Sequence, residues 1–148
     1  MNAPAAVARA SQRVPIIRLY GSLVVPLQDM LPDHELEALR DEVTRRIVTD
    51  GATGVVLDVS AVAAMDSYVT RVVRDLAMTA RLMGARTVLS GVAAPVAITM
   101  IEMGLDLPGV STALDLERAL ELLFEQRASA ARVPDEGPGG VEAEQDDE

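Results

Sequence analysis

Apolar positions follow two rhythms along this chain. VPIIRLYGSLVVPL (residues 14–27) is dense in β-branched residues and breaks at Gly21-Ser22, so it reads as two short strands. Pro15 near the start of the first marks an edge position, and Pro26 closes the second. The rhythm then changes to helical spacing, with Leu36, Leu39, Val43 and Ile47 on one stripe. Asp33 is the expected N-cap of this helix and Gly51 its stop. GVVLDVS (54–60) is apolar on both alternations, the pattern of a central strand covered on both faces.

A second helix is predicted from Ser67 to about Met83. It buries Val69, Val72, Val73, Leu76 and Ala80, and leaves Arg71, Arg74 and Arg81 for solvent or a partner. RTVLSGV (86–92) is the next strand. A third helix spans about Ala94 to Met103, with Pro95 in its first turn, where a missing N–H costs nothing. VSTA (110–113) is a last short strand, and Leu116, Ala119, Leu120 and Leu123 line a closing helix. The order β-β-α-β-α-β-α-β-α predicts one α/β domain with a mixed sheet: an opening hairpin, then parallel strands joined by helices.

Composition narrows the chemistry. The 148 residues contain no cysteine, which excludes a disulfide framework, a thiolate nucleophile and a cysteine metal site. His34 is the single histidine and all thirteen basic residues are arginine, so a multi-histidine metal site and a Schiff-base lysine are both excluded. Tyr20, Tyr68 and Phe124 are the only aromatic residues, too few for a base-stacking nucleic-acid binder. Net charge is −10, but residues 133–148 carry seven acids and no base, leaving the rest at −3. That balance disfavours duplex DNA and anionic membranes. No apolar stretch approaches a membrane span or a signal-peptide core, and a cytoplasmic location is expected. The expected division is a disordered extension over 1–12, the folded domain over 13–127 and an acidic disordered tail over 128–148.

The stretch AAMDSYVTRVV (63–73) sets an acid beside a hydroxyl between a buried strand and a helix. Asp66 is the expected N-cap of the second helix. Ser67 then takes the first helical position, where free N–H groups and the helix dipole tolerate a phosphate. Such a phosphate adds roughly −1.5 to −2 charges beside Asp66 and near Asp58. Enzyme signatures are lacking: there is no GxSxG elbow, phosphate loop or dinucleotide glycine pattern, and His34 sits on another helix. A ligand receptor at Asp58 and Asp66, where strand ends meet loops, is the remaining small-molecule alternative.

The runs VPIIRLYGSLVVPLQ and GVVLDVSAVAAMDSYVTRVVRDLAMTARLMGARTVLSGVAAPVAITMIEMG resemble the STAS domain, and more closely the RsbS-type small subunit of the bacterial stressosome. The resemblance covers about residues 13–125. It implies a sheet with helices mainly on one face, no catalytic activity and no cofactor or metal. It places the phosphorylated serine on Ser67 and a secondary phosphorylatable hydroxyl on Thr99. Asp58, Asp66, Tyr68 and Arg71 form the expected partner-binding rim. The partners implied are an RsbT-type serine kinase, an RsbR-type sensor-bearing STAS paralogue and a PP2C-type phosphatase, with co-assembly or homo-oligomerisation. The implied function is a phosphorylatable scaffold that sequesters the kinase and releases it on phosphorylation of Ser67. The alternative is a conventional soluble anti-anti-sigma factor binding a stand-alone anti-sigma kinase. The acidic tail has no counterpart in the family. Tyr68 stands where ordinary antagonists carry a small residue.

Overall fold

A computed structural model describes residues 14–132. The expectations for residues 1–12 and for 133–148 lie outside the described residues. Strands β1 (Ile17–Leu19) and β2 (Ser22–Pro26) form the opening hairpin. Helix α1 (Asp33–Asp50), strand β3 (Gly54–Asp58), helix α2 (Ser67–Leu82) and strand β4 (Arg86–Ser90) follow. Helix α3 (Ala94–Glu102), strand β5 (Ser111–Ala113) and helix α4 (Leu116–Ala131) complete the domain. Helix α4 thus runs past residue 127.

The five strands lie in chain order, β1-β2-β3-β4-β5. β1 is antiparallel to β2, with Ile17 opposite Val24 and Leu19 opposite Ser22. The other pairings are parallel, aligning Pro26, Asp58 and Ser90 at one edge of the sheet. β1 reverses into β2 at Tyr20 and Gly21, one residue before the expected break at Gly21-Ser22. Both turn residues have positive φ, 52° and 78°, as a two-residue hairpin turn matched to strand twist requires.

Alternation along the strands builds two cores. Leu23, Val25, Val55, Leu57 and Leu89 point to the face covered by Leu39, Val43 and Ile47 of α1, Val73, Leu76 and Ala80 of α2, and Val96 and Met100 of α3. Val24, Val56 and Val88 point to the other face, beneath Ala119 and Leu123 of α4. Among the described residues, three helices therefore share one face, and α4 alone covers the second. The doubly apolar pattern of β3 reflects this: Val55, Val56 and Leu57 are all buried, Val56 on the opposite side from its neighbours. Gly54 permits the close approach of α4, because a Cβ there would lie 2.8 Å from Leu123 Cδ1 and from Ser22 Oγ.

Local signals were mostly, not wholly, as expected. Gly51 closes α1 in the left-handed conformation, its N–H bonded to the Ile47 carbonyl. At the other end, Pro32 rather than Asp33 is the N-cap; Asp33 is the first helical residue, and no side chain caps this end. The extended backbone of Pro32 stops the helix one residue earlier than a side-chain cap would suggest. Strands β3 and β4 end at Asp58 and Ser90, short of the expected 60 and 92. There the chain turns: the Ser60 N–H bonds to the Asp58 carboxylate, and Gly91 takes a positive φ of 78°.

Candidate functional site

The edge where the parallel strands end is built from three loops, 27–32, 59–66 and 91–93. Each leads from a strand into the first turn of a helix. Backbone hydrogen bonds bind them: Leu27 N–H to the Asp58 carbonyl at 2.8 Å, and Val59 N–H to the Ser90 carbonyl at 2.9 Å. The Asp29 carboxylate accepts from the Ala63 N–H at 3.1 Å, joining the first loop to the second. Asp58 is half-buried at the end of β3 and accepts from Ser60 N–H at 3.0 Å. Gly91 lets this turn pack closely, since a Cβ there would lie 2.9 Å from Ser60 Cβ and 3.2 Å from Asp58 Oδ1.

The 59–66 loop is pinned by two buried side chains, Val62 and Met65, and leaves Ala61, Ala63 and Ala64 exposed between them. Asp66 follows in an extended conformation, φ −79° and ψ 179°, and its carboxylate accepts from the Val69 N–H at 2.8 Å. Asp66 is therefore the N-cap of α2, satisfying one of the free donors of the first turn. Ser67 is the first residue of α2 and is exposed. Buried residues flank it: Met65 two residues before and Thr70 three residues after.

Tyr68 turns away from Ser67 toward α1, where its hydroxyl donates to the Glu37 carboxylate. That hydrogen bond, reinforced by burial and by the negative charges of Glu37 and Asp33, pushes the phenol up to about 12. Arg71 is exposed, one helical turn beyond Ser67. Arg74 is half-buried and donates to the Asp106 carbonyl at 2.7 Å, tying α2 to the loop after α3 rather than standing free as its sequence position suggested.

The predicted residues thus fall into two groups. Asp58, Asp66, Ser67 and Tyr68 sit together on the loop edge, and Arg71 borders it. Thr99 lies apart, exposed in the second turn of α3, with its hydroxyl bonded back to the Pro95 carbonyl at 3.0 Å. His34 is exposed in the first turn of α1. Sequence reasoning missed three members of the edge. Glu37 joins it from α1 through its contact with Tyr68, and Asp29, within the 27–32 loop, bonds across to Ala63, both more than thirty positions away in sequence. Met30 is 90% exposed with a positive φ of 58°, an unusual state for a large apolar residue. Nothing in the local sequence marks it.

Among the described residues, no group of His, Cys, Asp and Glu side chains could hold a metal ion, and no helix is long and apolar enough to cross a membrane. The edge offers exposed hydroxyl, carboxylate and small apolar groups.

Comparison with known proteins agrees with the fold. The STAS domain profile matches residues 8–119. The structure is similar to that of an RsbS from Moorella thermoacetica carrying a Ser-to-Glu substitution, with 37% identity and a TM-score of 0.70, covering 79% of this chain and 99% of that one. It is similar, too, to a chain of the stressosome, described as a signal integration and transduction hub, with 34% identity and a TM-score of 0.64, covering 76% of this chain and 98% of that one. In sequence it is 23% identical over 112 residues to the RsbT co-antagonist protein RsbRA of Bacillus subtilis. That match takes in 75% of this chain but 41% of RsbRA, so the chain spans about two fifths of that relative. With its profile match, its strand order and its likeness over nearly the whole of RsbS, the chain belongs to the STAS domain family, as a relative of RsbS.

Proposed function

We propose that this protein is a non-catalytic, phosphorylatable scaffold subunit of a stressosome-like complex. It holds an RsbT-type serine kinase at the loop edge and releases it when Ser67 is phosphorylated. The observation that carries this reading is the placement of Ser67: exposed, at the first position of α2, directly after the Asp66 cap. A phosphate there is compatible with the helix, because the first-turn N–H groups and the dipole favour negative charge. The fold therefore stays in place while the docking surface changes.

That change is large in charge. Asp66 is adjacent, and Glu37 and Asp33 stand beside Tyr68. Adding roughly −1.5 to −2 charges converts a surface of alanines, a hydroxyl and scattered carboxylates into a concentrated anionic patch. A kinase seated against the unmodified edge would then meet a doubly charged group that its surface was not built to pair or to desolvate. The likeness to RsbS and RsbRA supports co-assembly with an RsbR-type sensor-bearing paralogue, and a PP2C-type phosphatase would reset Ser67. The assembly would operate in the cytoplasm.

The test is phosphotransfer from the cognate kinase and ATP, read by intact mass and peptide mapping. One added phosphate on Ser67, absent from Ser67→Ala, supports the reading. An unmodified Ser67, with the kinase shown active on another substrate, rejects it. Light scattering with the paralogue present separates scaffold from antagonist: a large assembly supports the scaffold, and a persistent small complex favours the conventional anti-anti-sigma role.

A further inference from the structure

At the opposite end of the molecule, the hairpin turn and the last turns of α4 enclose a groove of about 370 Å³ that the loop-edge function does not use. Its walls include Tyr20, Leu120, Phe124 and Arg127, with Glu121 and Glu125 along α4. Two of the chain's three aromatic side chains therefore line one groove, and both are largely exposed, Tyr20 at 79% and Phe124 at 67%. Aromatic residues and arginine, gathered on a concave apolar surface, are the composition of interface anchors.

The turn that presents Tyr20 is built at a local cost. Both of its residues need positive φ, which favours Asn-Gly, yet a tyrosine occupies the first position at φ 52°. Arg127 secures the arrangement by donating to the Tyr20 carbonyl at 3.1 Å. Gly21 makes room for it, as a Cβ there would lie 3.1 Å from the guanidinium. A strained, exposed aromatic held from behind by a cation is a display rather than a packing solution.

Charge selects the occupant. Glu121 and Glu125 stand one turn apart on α4, an unfavourable like-charge spacing that the helix retains. The chain leaves α4 at this same end, and residues 133–148 add seven acids with no base. A second copy, with a net charge of −10, would be repelled here. We propose that the Tyr20–Phe124 groove is a second docking surface, separate from Ser67, for a basic partner segment with an aliphatic or aromatic anchor flanked by arginine or lysine. The anchor packs between Tyr20 and Phe124, and the flanking cations face Glu121 and Glu125.

The test uses the full chain and a pentapeptide, Arg-Leu-Phe-Leu-Arg blocked at both ends, with its glutamate-for-arginine counterpart as control. NMR titration at low salt should shift the Tyr20 and Phe124 ring resonances with the basic peptide, and at least tenfold more weakly with the acidic one. Tyr20→Asn suits the turn better, so it should hold or raise Tm while weakening the basic peptide at least fivefold. Ser67→Asp should leave that affinity unchanged, as the groove lies at the other end. The proposal is overturned if the two peptides bind alike, if no shift occurs up to millimolar peptide, or if Tyr20→Asn binds as the parent does. Concentration-dependent self-association abolished by Phe124→Ser would assign the groove to a second copy and equally overturn it.

Discussion

Tyr68, in the first turn of α2, donates its hydroxyl to the carboxylate of Glu37 on α1, thirty-one residues earlier in the chain. The contact holds the start of α2, and with it Ser67, against the neighbouring helix. The hydrogen bond stabilises the protonated phenol, which is why this group is raised to about 12 from its ordinary value of 10. A raised folded-state value means that the folded protein keeps its proton after the unfolded chain has lost it. The stabilising contribution is therefore complete below about pH 10 and is lost as pH rises through about 12. Ultraviolet titration should find one phenol ionising near 12, and Glu37→Gln should move that transition back toward 10. An unchanged titration in Glu37→Gln would remove the contact as its cause.

The cap and the switch can be separated at Asp66. Its carboxylate accepts the Val69 N–H, so Asp66→Ala should lower stability by about 1 kcal/mol, or about 4 °C in Tm. Asp66→Asn keeps a capping oxygen and should recover most of that loss. Thermal melts of the three forms check the cap. If both variants bind the kinase as the parent does, Asp66 is a cap alone and not part of the docking rim.

At Ser67 the two standard substitutions should diverge. Ser67→Ala is expected to hold the kinase within about twofold of the parent. Ser67→Asp should weaken it at least about tenfold, equivalent to about 1.4 kcal/mol. Both should melt within about 0.5 kcal/mol of the parent, because the side chain is exposed. Calorimetric titration with the kinase gives the answer, and equal affinities would falsify the charge-switch mechanism.

Thr99 should behave differently from Ser67. Its hydroxyl is already engaged with the Pro95 carbonyl, and it lies in the second turn of α3 rather than beside a helix start. Peptide mapping after saturating phosphorylation should place the phosphate on Ser67 and leave Thr99 unmodified. Thr99→Val should change stability by no more than about 0.5 kcal/mol.

The second core has a sharper sensitivity. In Gly54→Ala the new methyl would stand 2.8 Å from Leu123 Cδ1 and Ser22 Oγ, so these packed side chains would have to shift. The expected loss is about 1–3 kcal/mol, measured by denaturant unfolding. Shortening the opposing side chain should relieve it, so Gly54→Ala with Leu123→Val should lose less than the two single changes added together.

What was legible in the sequence was whatever local physics decides. Short, dense runs of β-branched and aliphatic residues at 22–26, 54–58 and 86–90 marked the strands, and the Leu36–Leu39–Val43–Ile47 stripe marked α1. Gly51 announced its helix end and Asp66 its helix start, because capping and left-handed turns depend on a few neighbouring residues. The position of Ser67 followed from the same cap. Tertiary structure decided the rest. Which face each helix covers depended on strand order, since Val55 and Val56 are equally apolar and only packing assigns one to α1–α3 and the other to α4. The Tyr68–Glu37 and Asp29–Ala63 contacts, the exposure of Met30 and the Tyr20–Phe124 groove all join residues distant in sequence or depend on a backbone state that no residue type demands. Local propensity chooses elements; only the closing of the sheet determines which side chains those elements bring together.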